Sequence, residues 1–126
     1  PRVLLLDDDP FTLAMLGDLL DEIGLFEVFS EPDARRALRT LGKCMPDLMI
    51  CDLALPDMDG IEFMQAAAQA GFSGGVVLLS GLDAGLRTAA ATLAQAHGLR
   101  VQGCFEKPLT LAALRAIAGP LVATAG

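Results

Sequence analysis

Four polar segments of this chain carry side chains that could bind a divalent cation and a phosphoryl group. They are Asp7-Asp8-Asp9, Asp52, Ser80 and Lys107, and each follows a short apolar run of the kind that forms a buried strand. In an open parallel sheet the carboxyl ends of the strands lie along one edge, where ligands collect. We therefore expect these residues, although far apart in sequence, to lie close together. Carboxylates with a hydroxyl and an ammonium group suit a metal ion and a phosphoryl group.

The three consecutive aspartates predict a metal site. A helix cap accounts for one of them, and Asp9 fits that role because Pro10 follows it at the first helical position. The repulsion between the other charges must be offset by a cation. Mg²⁺ fits best because it prefers oxygen ligands, keeps several waters and needs only one or two carboxylates. We predict Asp8 as a metal ligand, with Asp7 assisting.

The other three segments could complete a phosphoryl-transfer site. Asp52 ends an apolar run, where a carboxylate is costly unless a cation or donors pair with it. It could serve as a metal ligand and as a nucleophile that attacks phosphorus to give an acyl phosphate. Ser80, followed by Gly81, offers a hydroxyl that could donate to a phosphoryl oxygen. Lys107 could pair with a carboxylate and then with phosphate, and Pro108 after it makes a cis bond possible.

The elements that must position these residues alternate between short strands and amphipathic helices. We expect strands over 3–7, 26–29, 48–52, 76–79 and 100–105. The inner faces of the helices are predicted from apolar residues at helical spacing: Phe11, Met15, Leu19 and Ile23, with Leu16 and Leu20 beside them; Ala34, Leu38 and Leu41; Ile61, Met64 and Ala68; Leu86, Ala90 and Leu93; and Leu111, Leu114, Ile117 and Leu121.

Caps and glycines predict where several of these helices begin and end. Asp83 and Thr110 are expected to cap the fourth and fifth helices, while Gly24, Gly42 and Gly98 are expected to end the first, second and fourth. A tail of small residues is expected after the fifth helix. This alternation predicts an α/β fold with a parallel sheet covered on both faces and right-handed crossovers.

Composition favours one domain over residues 1–126 in a cytoplasmic protein. The chain has 126 residues, of which 53% are hydrophobic, and its net charge of −7 disfavours direct binding of nucleic acid. No apolar run approaches the roughly 20 residues of a membrane span, and no signal-like segment opens the chain. Cys44, Cys51 and Cys104 are odd in number and lie mostly in apolar stretches, so we expect free thiols.

The segments VLLLDDDP (3–10), CDLALPDMDG (51–60), LSG (79–81) and KP (107–108) together resemble the receiver domain of two-component response regulators. The resemblance covers essentially the whole chain. It implies a three-layer, flavodoxin-like (CheY-like) α/β fold, with a five-stranded parallel sheet of order 2-1-3-4-5 and five helices. It also implies that Asp52 accepts a phosphoryl group from a histidine kinase or phosphotransfer protein. Asp8, Asp52 and the backbone carbonyl of Ala54 would hold Mg²⁺, and Ser80 and Lys107 would bind the phosphoryl group.

The output of such a switch is less sharply defined by sequence. Segments 50–53, 58–63 and 93–99 are similar to those of receivers attached to cyclic-di-GMP phosphodiesterase (EAL) domains, although no EAL residue is present in this chain. A DNA-binding output, a stand-alone receiver and a homodimer remain open. The resemblance implies that phosphorylation changes the 80–85 loop and the fourth helix and so controls an attached or partner output.

Two departures from the family pattern bear on signalling. Three residues before Lys107 the family usually has Tyr or Phe, but here Cys104 stands there with Phe105 beside it, so we expect the signal to pass through the loop after Ser80 and the fourth helix. Ala54 and Leu82 occupy the positions that tune acyl-phosphate hydrolysis in the family. Because neither can orient a water, we expect a long-lived phosphorylated form.

Three other interpretations are weaker. A haloacid-dehalogenase-type phosphatase would need a second Asp two residues after the nucleophile, and two residues after Asp52 this chain has Ala54. Two residues after Asp7 it has Asp9, but the Thr expected at the following positions and a cap domain are missing. A degenerate receiver that only binds partners is disfavoured by the complete set of acidic and Lys positions. His97 is expected to cap or pair with the end of the fourth helix, where the helix dipole favours an imidazolium. We do not expect it to be a phosphohistidine. We expect no enzyme activity beyond assistance to the chain's own phosphorylation and slow dephosphorylation.

Overall fold

Strands and helices alternate along the whole described part of the chain. The structure, a computed structural model, describes residues 1–55, 57–81 and 84–125. The strands are β1 (Arg2–Leu6), β2 (Glu27–Glu31), β3 (Leu48–Asp52), β4 (Gly75–Ser80) and β5 (Arg100–Glu106). The helices are α1 (Pro10–Ile23), α2 (Ala34–Cys44), α3 (Gly60–Gln69), α4 (Ala84–Ala96) and α5 (Leu111–Ala125). The predicted α/β architecture is confirmed.

The strands form one parallel sheet in the order β2-β1-β3-β4-β5. This is the order that the family resemblance implied. The chain runs outward from β1 in both directions, so a crevice opens at the carboxyl ends of β1 and β3, where the helices on either side diverge. Strand register then sets the site, because Leu6 pairs with Cys51 and Asp52 pairs with Leu79. The residues that end these strands therefore lie at nearly the same level.

Helices cover both faces of the sheet, and successive residues of a strand pack alternately into two separate hydrophobic cores. Leu4, Met49 and Leu78 point to the face covered by α2, α3 and α4, where Phe63 is fully buried. The other face is covered by α1 and α5, with their residues in a second core around Leu5 and Ile50. Fully buried strands of this kind need apolar residues in succession, which explains the continuous apolar runs in the sequence.

Two predicted inner-face residues are exposed instead. Phe11 is 84% exposed, whereas α1 buries Leu16 and Leu20. Residues at strict four-residue spacing drift about 40° around the helix at each step, because a turn takes about 3.6 residues. In α4 the buried residues are Ala90 and Ala94, and the adjacent Leu93 is rotated outward and is 38% exposed. The side chain of Leu86 and the predicted cap Asp83 lie outside the described residues.

Two predicted helix ends were also wrong. Gly42 does not end α2, which continues to Cys44 and stops where Met45 adopts a left-handed backbone (φ 47°). Pro46 then prevents further helix because it has no N–H to donate. After Thr110, whose Oγ1 accepts from Ala113 N as a helix cap, α5 runs on to Ala125 where a tail was expected. The helix continues past Pro120, and residues 121–125 contain neither Gly nor Pro.

Other predicted ends are confirmed. Gly24 caps the end of α1, and a Cβ there would lie 2.8 Å from a methyl group of Val122 in α5. Gly98 follows α4 with φ 86°, a conformation that favours glycine. Within the described residues, no disulfide joins Cys44, Cys51 and Cys104. No helix in the described ranges is both long and apolar enough to cross a membrane.

Candidate functional site

The turn after β1 gives its three aspartates three different environments. Asp7 is buried, and its Oδ1 accepts a hydrogen bond from Asp9 N at 2.9 Å. Asp8 is exposed. Asp9 is the N-cap of α1, as predicted, with Oδ1 accepting from Phe11 N at 3.1 Å. The turn therefore points one carboxylate into the sheet edge, leaves one at the mouth of the site, and uses the third to begin a helix.

Asp52 is the last residue of β3 and is buried at the centre of the edge. Its Oδ1 accepts from Ala54 N at 3.0 Å, and its Oδ2 accepts from Lys107 Nζ at 3.0 Å. One oxygen is thus fixed by the backbone of the following loop and the other by a cation. These two contacts supply the hydrogen-bond donors that a buried carboxylate needs at the end of an apolar strand.

Lys107 joins β1, β3 and β5 through one ammonium group. Its Nζ lies 2.7 Å from Asp7 Oδ2 in addition to its contact with Asp52. The backbone N of Lys107 donates to the carbonyl of Ser80 at 2.9 Å, and the Lys107-Pro108 bond is cis. Ser80 itself is buried at the end of β4. The structure thus brings together the predicted residues Asp7, Asp52, Ser80 and Lys107, with Asp8 beside them.

Burial and charge act in opposite directions at this cluster. Burial raises the pKa of Asp7 and outweighs the lowering by Lys107 and by the Asp9 N–H, while the charge of Asp52 raises it further. Burial lowers the pKa of Lys107, but its hydrogen bonds and charge interactions with Asp7 and Asp52 raise that pKa overall. A protonated lysine therefore faces two buried carboxylates. A second positive charge would stabilise the cluster when both carboxylates are ionised.

The carboxylates fit a magnesium ion. One oxygen each from Asp7, Asp8 and Asp52 lie within 4.8 Å of one another. Asp7 Oδ2 is buried, and among the described residues its one polar contact is the 2.7 Å ion pair with Lys107 Nζ. A buried oxygen with unused lone pairs, beside two more carboxylates, is a donor set of the hard type that Mg²⁺ prefers. Ala54 is two residues after Asp52, and its N donates to Asp52 Oδ1, so its backbone carbonyl belongs to the loop beside these carboxylates.

Two further aspartates in the β3–α3 loop (residues 53–59) have roles that the sequence analysis had not assigned. Asp59 is the N-cap of α3, with Oδ1 accepting from Glu62 N at 2.8 Å. The spacing of Asp59 and Glu62 is that of a capping box, so a sequence signal existed. Asp57 accepts from Ala34 N and Arg35 N at the start of α2. Its partners are 23 and 22 residues away, and no local pattern predicts that contact.

Cys104 and Phe105 point to opposite faces of the sheet. Cys104 is half-buried and packs against the core on the α2–α4 face, whereas Phe105 packs against the core on the α1–α5 face. The Phe105 ring also covers Gly103, where a Cβ would lie 2.4 Å from a ring carbon. Phe105 therefore does not occupy the side of β5 on which Cys104 lies. His97 is exposed just beyond the last residue of α4.

Residues 3–118 match the family model of the response regulator receiver domain. The chain therefore belongs to the response regulator receiver family. The edge of the sheet that carries Asp7, Asp8 and Asp52 is the acidic pocket of this receiver domain.

Known relatives agree with this assignment. The chain is 31% identical over 117 residues to the cyclic di-GMP phosphodiesterase RocR of Pseudomonas aeruginosa, which covers 92% of this chain and 30% of RocR. It is 29% identical over 108 residues to the Regulator of RpoS of Escherichia coli, covering 86% of this chain and 30% of that protein. The chain thus spans about 30% of the length of these curated relatives.

Solved structures share the fold over nearly the full length. A response regulator from Colwellia psychrerythraea has 34% sequence identity and a TM-score of 0.82, with 98% of this chain and 97% of that chain covered. The chemotaxis protein CheY4 of Vibrio cholerae has 25% identity and a TM-score of 0.78, with 96% and 97% covered. The five-stranded CheY-like receiver fold is therefore established for this chain.

Proposed function

We propose that residues 1–126 form one receiver domain that acts as a phosphorylation-dependent switch of a two-component system. In this proposal Asp52 accepts a phosphoryl group from a histidine kinase or a phosphotransfer protein. The observation that carries it is the double constraint on Asp52, whose Oδ1 is bound by Ala54 N and whose Oδ2 is bound by Lys107 Nζ at the acidic edge. A carboxylate held in this way has a fixed orientation, and one of its oxygens lies within 4.8 Å of an oxygen of the exposed Asp8.

The transfer is a displacement at phosphorus. An oxygen of Asp52 forms the new P–O bond while the P–N bond of the phosphohistidine breaks, and the leaving imidazole nitrogen keeps the electron pair and takes up a proton. Mg²⁺, bound by Asp7, Asp8, Asp52 and the Ala54 carbonyl, would supply positive charge against the phosphoryl oxygens. Lys107 would move from the Asp52 carboxylate to a phosphoryl oxygen, and the Ser80 hydroxyl would donate to another.

The signal would leave the site through the loop after Ser80 and through α4. Phe105 faces the α1–α5 core, and Cys104 is too small to fill the space of an aromatic ring. The rotation of a ring beside α4 is therefore replaced by movement of the loop and helix. Part of that loop, including Leu82, lies outside the described residues.

We further propose an output of the EAL type, attached to this domain or recruited by it. The similarity to RocR, which is named as a cyclic di-GMP phosphodiesterase, supports this choice. The net charge of −7 argues against direct binding of nucleic acid by this domain. A homodimer is compatible with the proposal.

Phosphorylation by acetyl phosphate tests the proposal. We expect the wild-type protein to gain the mass of one phosphoryl group when Mg²⁺ is present and none when the metal is chelated. Asp52→Asn should gain none, while Asp18→Asn, which changes an exposed aspartate of α1, should behave as wild type. A wild-type protein that stays unmodified would point to a degenerate receiver that works only through partner binding.

The lifetime of the phosphorylated form gives a second test. Ala54 is exposed in the loop after Asp52 and has no polar side chain that could orient an attacking water. We therefore expect the purified phosphorylated protein to keep its phosphoryl group for minutes or longer. Loss of the phosphoryl group within seconds, measured by intact-protein mass spectrometry, would contradict this expectation.

A further inference from the structure

Asp57 connects the β3–α3 loop to the beginning of α2. Its Oδ1 accepts from Ala34 N at 3.0 Å and its Oδ2 accepts from Arg35 N at 3.1 Å. The Arg35 side chain adds an ion pair, with Nε 3.9 Å from Oδ2. Both carboxylate oxygens are therefore used to join two elements that are separated by β3.

The beginning of α2 has another cap of its own. Asp33 is the N-cap residue, and its Oδ1 accepts from Arg36 N at 2.9 Å. The first N–H groups of a helix lack partners inside the helix and favour negative charge. The hydrogen bond from Ala34 N is the largest influence on the pKa of Asp57 and lowers it; burial, the next largest, raises that pKa, but the hydrogen bond from Arg35 N adds to the lowering and the pKa falls overall. Asp57 thus holds the loop by a charge-assisted contact, while Asp33 caps the same helix from within.

The loop is also held at other described positions, on either side of residue 56. Ala54 N is bound by Asp52, and Leu53 O accepts from Gly60 N at 3.1 Å. Leu55 and Met58 pack against the core on the α2–α4 face. Asp57 provides the polar attachment between these apolar ones. It lies three residues after Ala54, a separation of at most about 10 Å along the chain.

We infer that Asp57 is a positioning residue for the metal site, because it fixes the loop that carries the Ala54 carbonyl. This inference rests on the proposed function, in which that carbonyl is a ligand of Mg²⁺. Without the contact to α2, the loop keeps its link to Asp52 and its apolar contacts with the core but loses its polar attachment to the start of α2. The carbonyl then samples more orientations, and part of the binding free energy is spent in ordering it.

The test compares Asp57→Ala with Asp33→Ala, because both remove a carboxylate from the same helix end and only the first detaches the loop. Hydrogen exchange of the metal-free proteins, read by mass spectrometry on peptides covering 53–60, should rise in Asp57→Ala and stay at the wild-type level in Asp33→Ala. The Kd for Mg²⁺, measured by calorimetry, should rise roughly tenfold in Asp57→Ala and be unchanged in Asp33→Ala. Asp57→Asn, which keeps one acceptor oxygen, should lie between wild type and Asp57→Ala.

Three outcomes would overturn the inference. An unchanged Mg²⁺ Kd in Asp57→Ala would show that the loop needs no attachment to α2. An equal loss of affinity in Asp33→Ala would show that general weakening of the helix end is responsible. Absence of Mg²⁺ binding by the wild-type protein would refute the proposed function itself and the positioning role with it, so the two failures are distinguishable.

Discussion

Replacing Lys107 by Met would leave two buried carboxylates without their cation. The side chains of Asp7 and Asp52 are 1% and 4% exposed, and both contact the Lys107 ammonium, at 2.7 Å and 3.0 Å. Met keeps much of the length and apolar character of the side chain, so the change is largely one of charge. We expect Lys107→Met to destabilise the metal-free protein at neutral pH.

The expected cost is about 2–3 kcal/mol. Removing one partner of a fully buried ion pair typically costs about 3–5 kcal/mol, because the remaining charge stays buried without compensation. The Lys107 side chain is 26% exposed, so water screens part of the interaction and the expected cost falls at or just below the bottom of that range. With a urea dependence of about 1.5 kcal/mol per molar, the unfolding midpoint should fall by about 1–2 M.

Urea unfolding followed by far-ultraviolet circular dichroism measures this change, since the chain has no Trp and no Tyr to report by fluorescence. Lys43→Met is the matched control, because Lys43 is the other lysine of the chain and is exposed at the end of α2. The control should change stability by no more than about 0.5 kcal/mol. The deficit of Lys107→Met should shrink when Mg²⁺ is added, or when acid protonates Asp7.

The reasoning would be refuted if Lys107→Met unfolded at the same midpoint as Lys43→Met. It would also be refuted if the deficit were equal at all pH values and Mg²⁺ concentrations. Either result would mean that the buried carboxylates do not depend on the ammonium group for their compensation.

Two further predictions concern Asp7 and Gly60. The folded-state pKa of Asp7 is raised above 3.8, so the folded protein binds this proton more tightly and loses stability as the pH rises from about 3.8 through the raised pKa. Without metal, Asp7→Asn should therefore be more stable than wild type at neutral pH and should lose stability less steeply in that pH window. Urea midpoints that change in parallel for the two proteins from pH 3 to 7 would exclude this. A Cβ at Gly60 would lie 2.8 Å from Leu53 Cα, so Gly60→Ala should lower the free energy of unfolding by about 1–3 kcal/mol. A Cβ at Gly42 would meet nothing within 4 Å, so Gly42→Ala should be neutral or stabilising. Equal thermal midpoints for the two variants would contradict the steric account.

Much of this receiver could be predicted from residue types alone. Continuous apolar runs such as Leu48–Asp52 identify strands buried on both faces, because only such strands tolerate apolar residues in succession. Caps such as Asp9 and Thr110 act within three residues, so the local sequence contains both partners. The residues of the candidate site followed from their place at strand ends, where a parallel sheet brings them to one edge.

Helix faces and helix ends could be predicted less well. The exposure of Phe11 and Leu93 depends on how each helix is rotated against the sheet, and apolar spacing constrains that rotation only to within a fraction of a turn. The end of α2 at Met45 depended on a left-handed residue before Pro46, while Gly42 within the helix gave a misleading signal.

The sequence by itself determined which side chains are present at the sheet edge, since strand ends and turn residues are local properties of the chain. Only the tertiary structure decided which atoms meet there: that Lys107 lies between Asp7 and Asp52, that Phe105 faces away from Cys104, and that Asp57 reaches the start of α2. The contacts of Lys107 and of Asp57 join residues from about 20 to 100 positions apart. Their geometry depends on strand register and on the packing of helices against the sheet, which no short stretch of sequence contains.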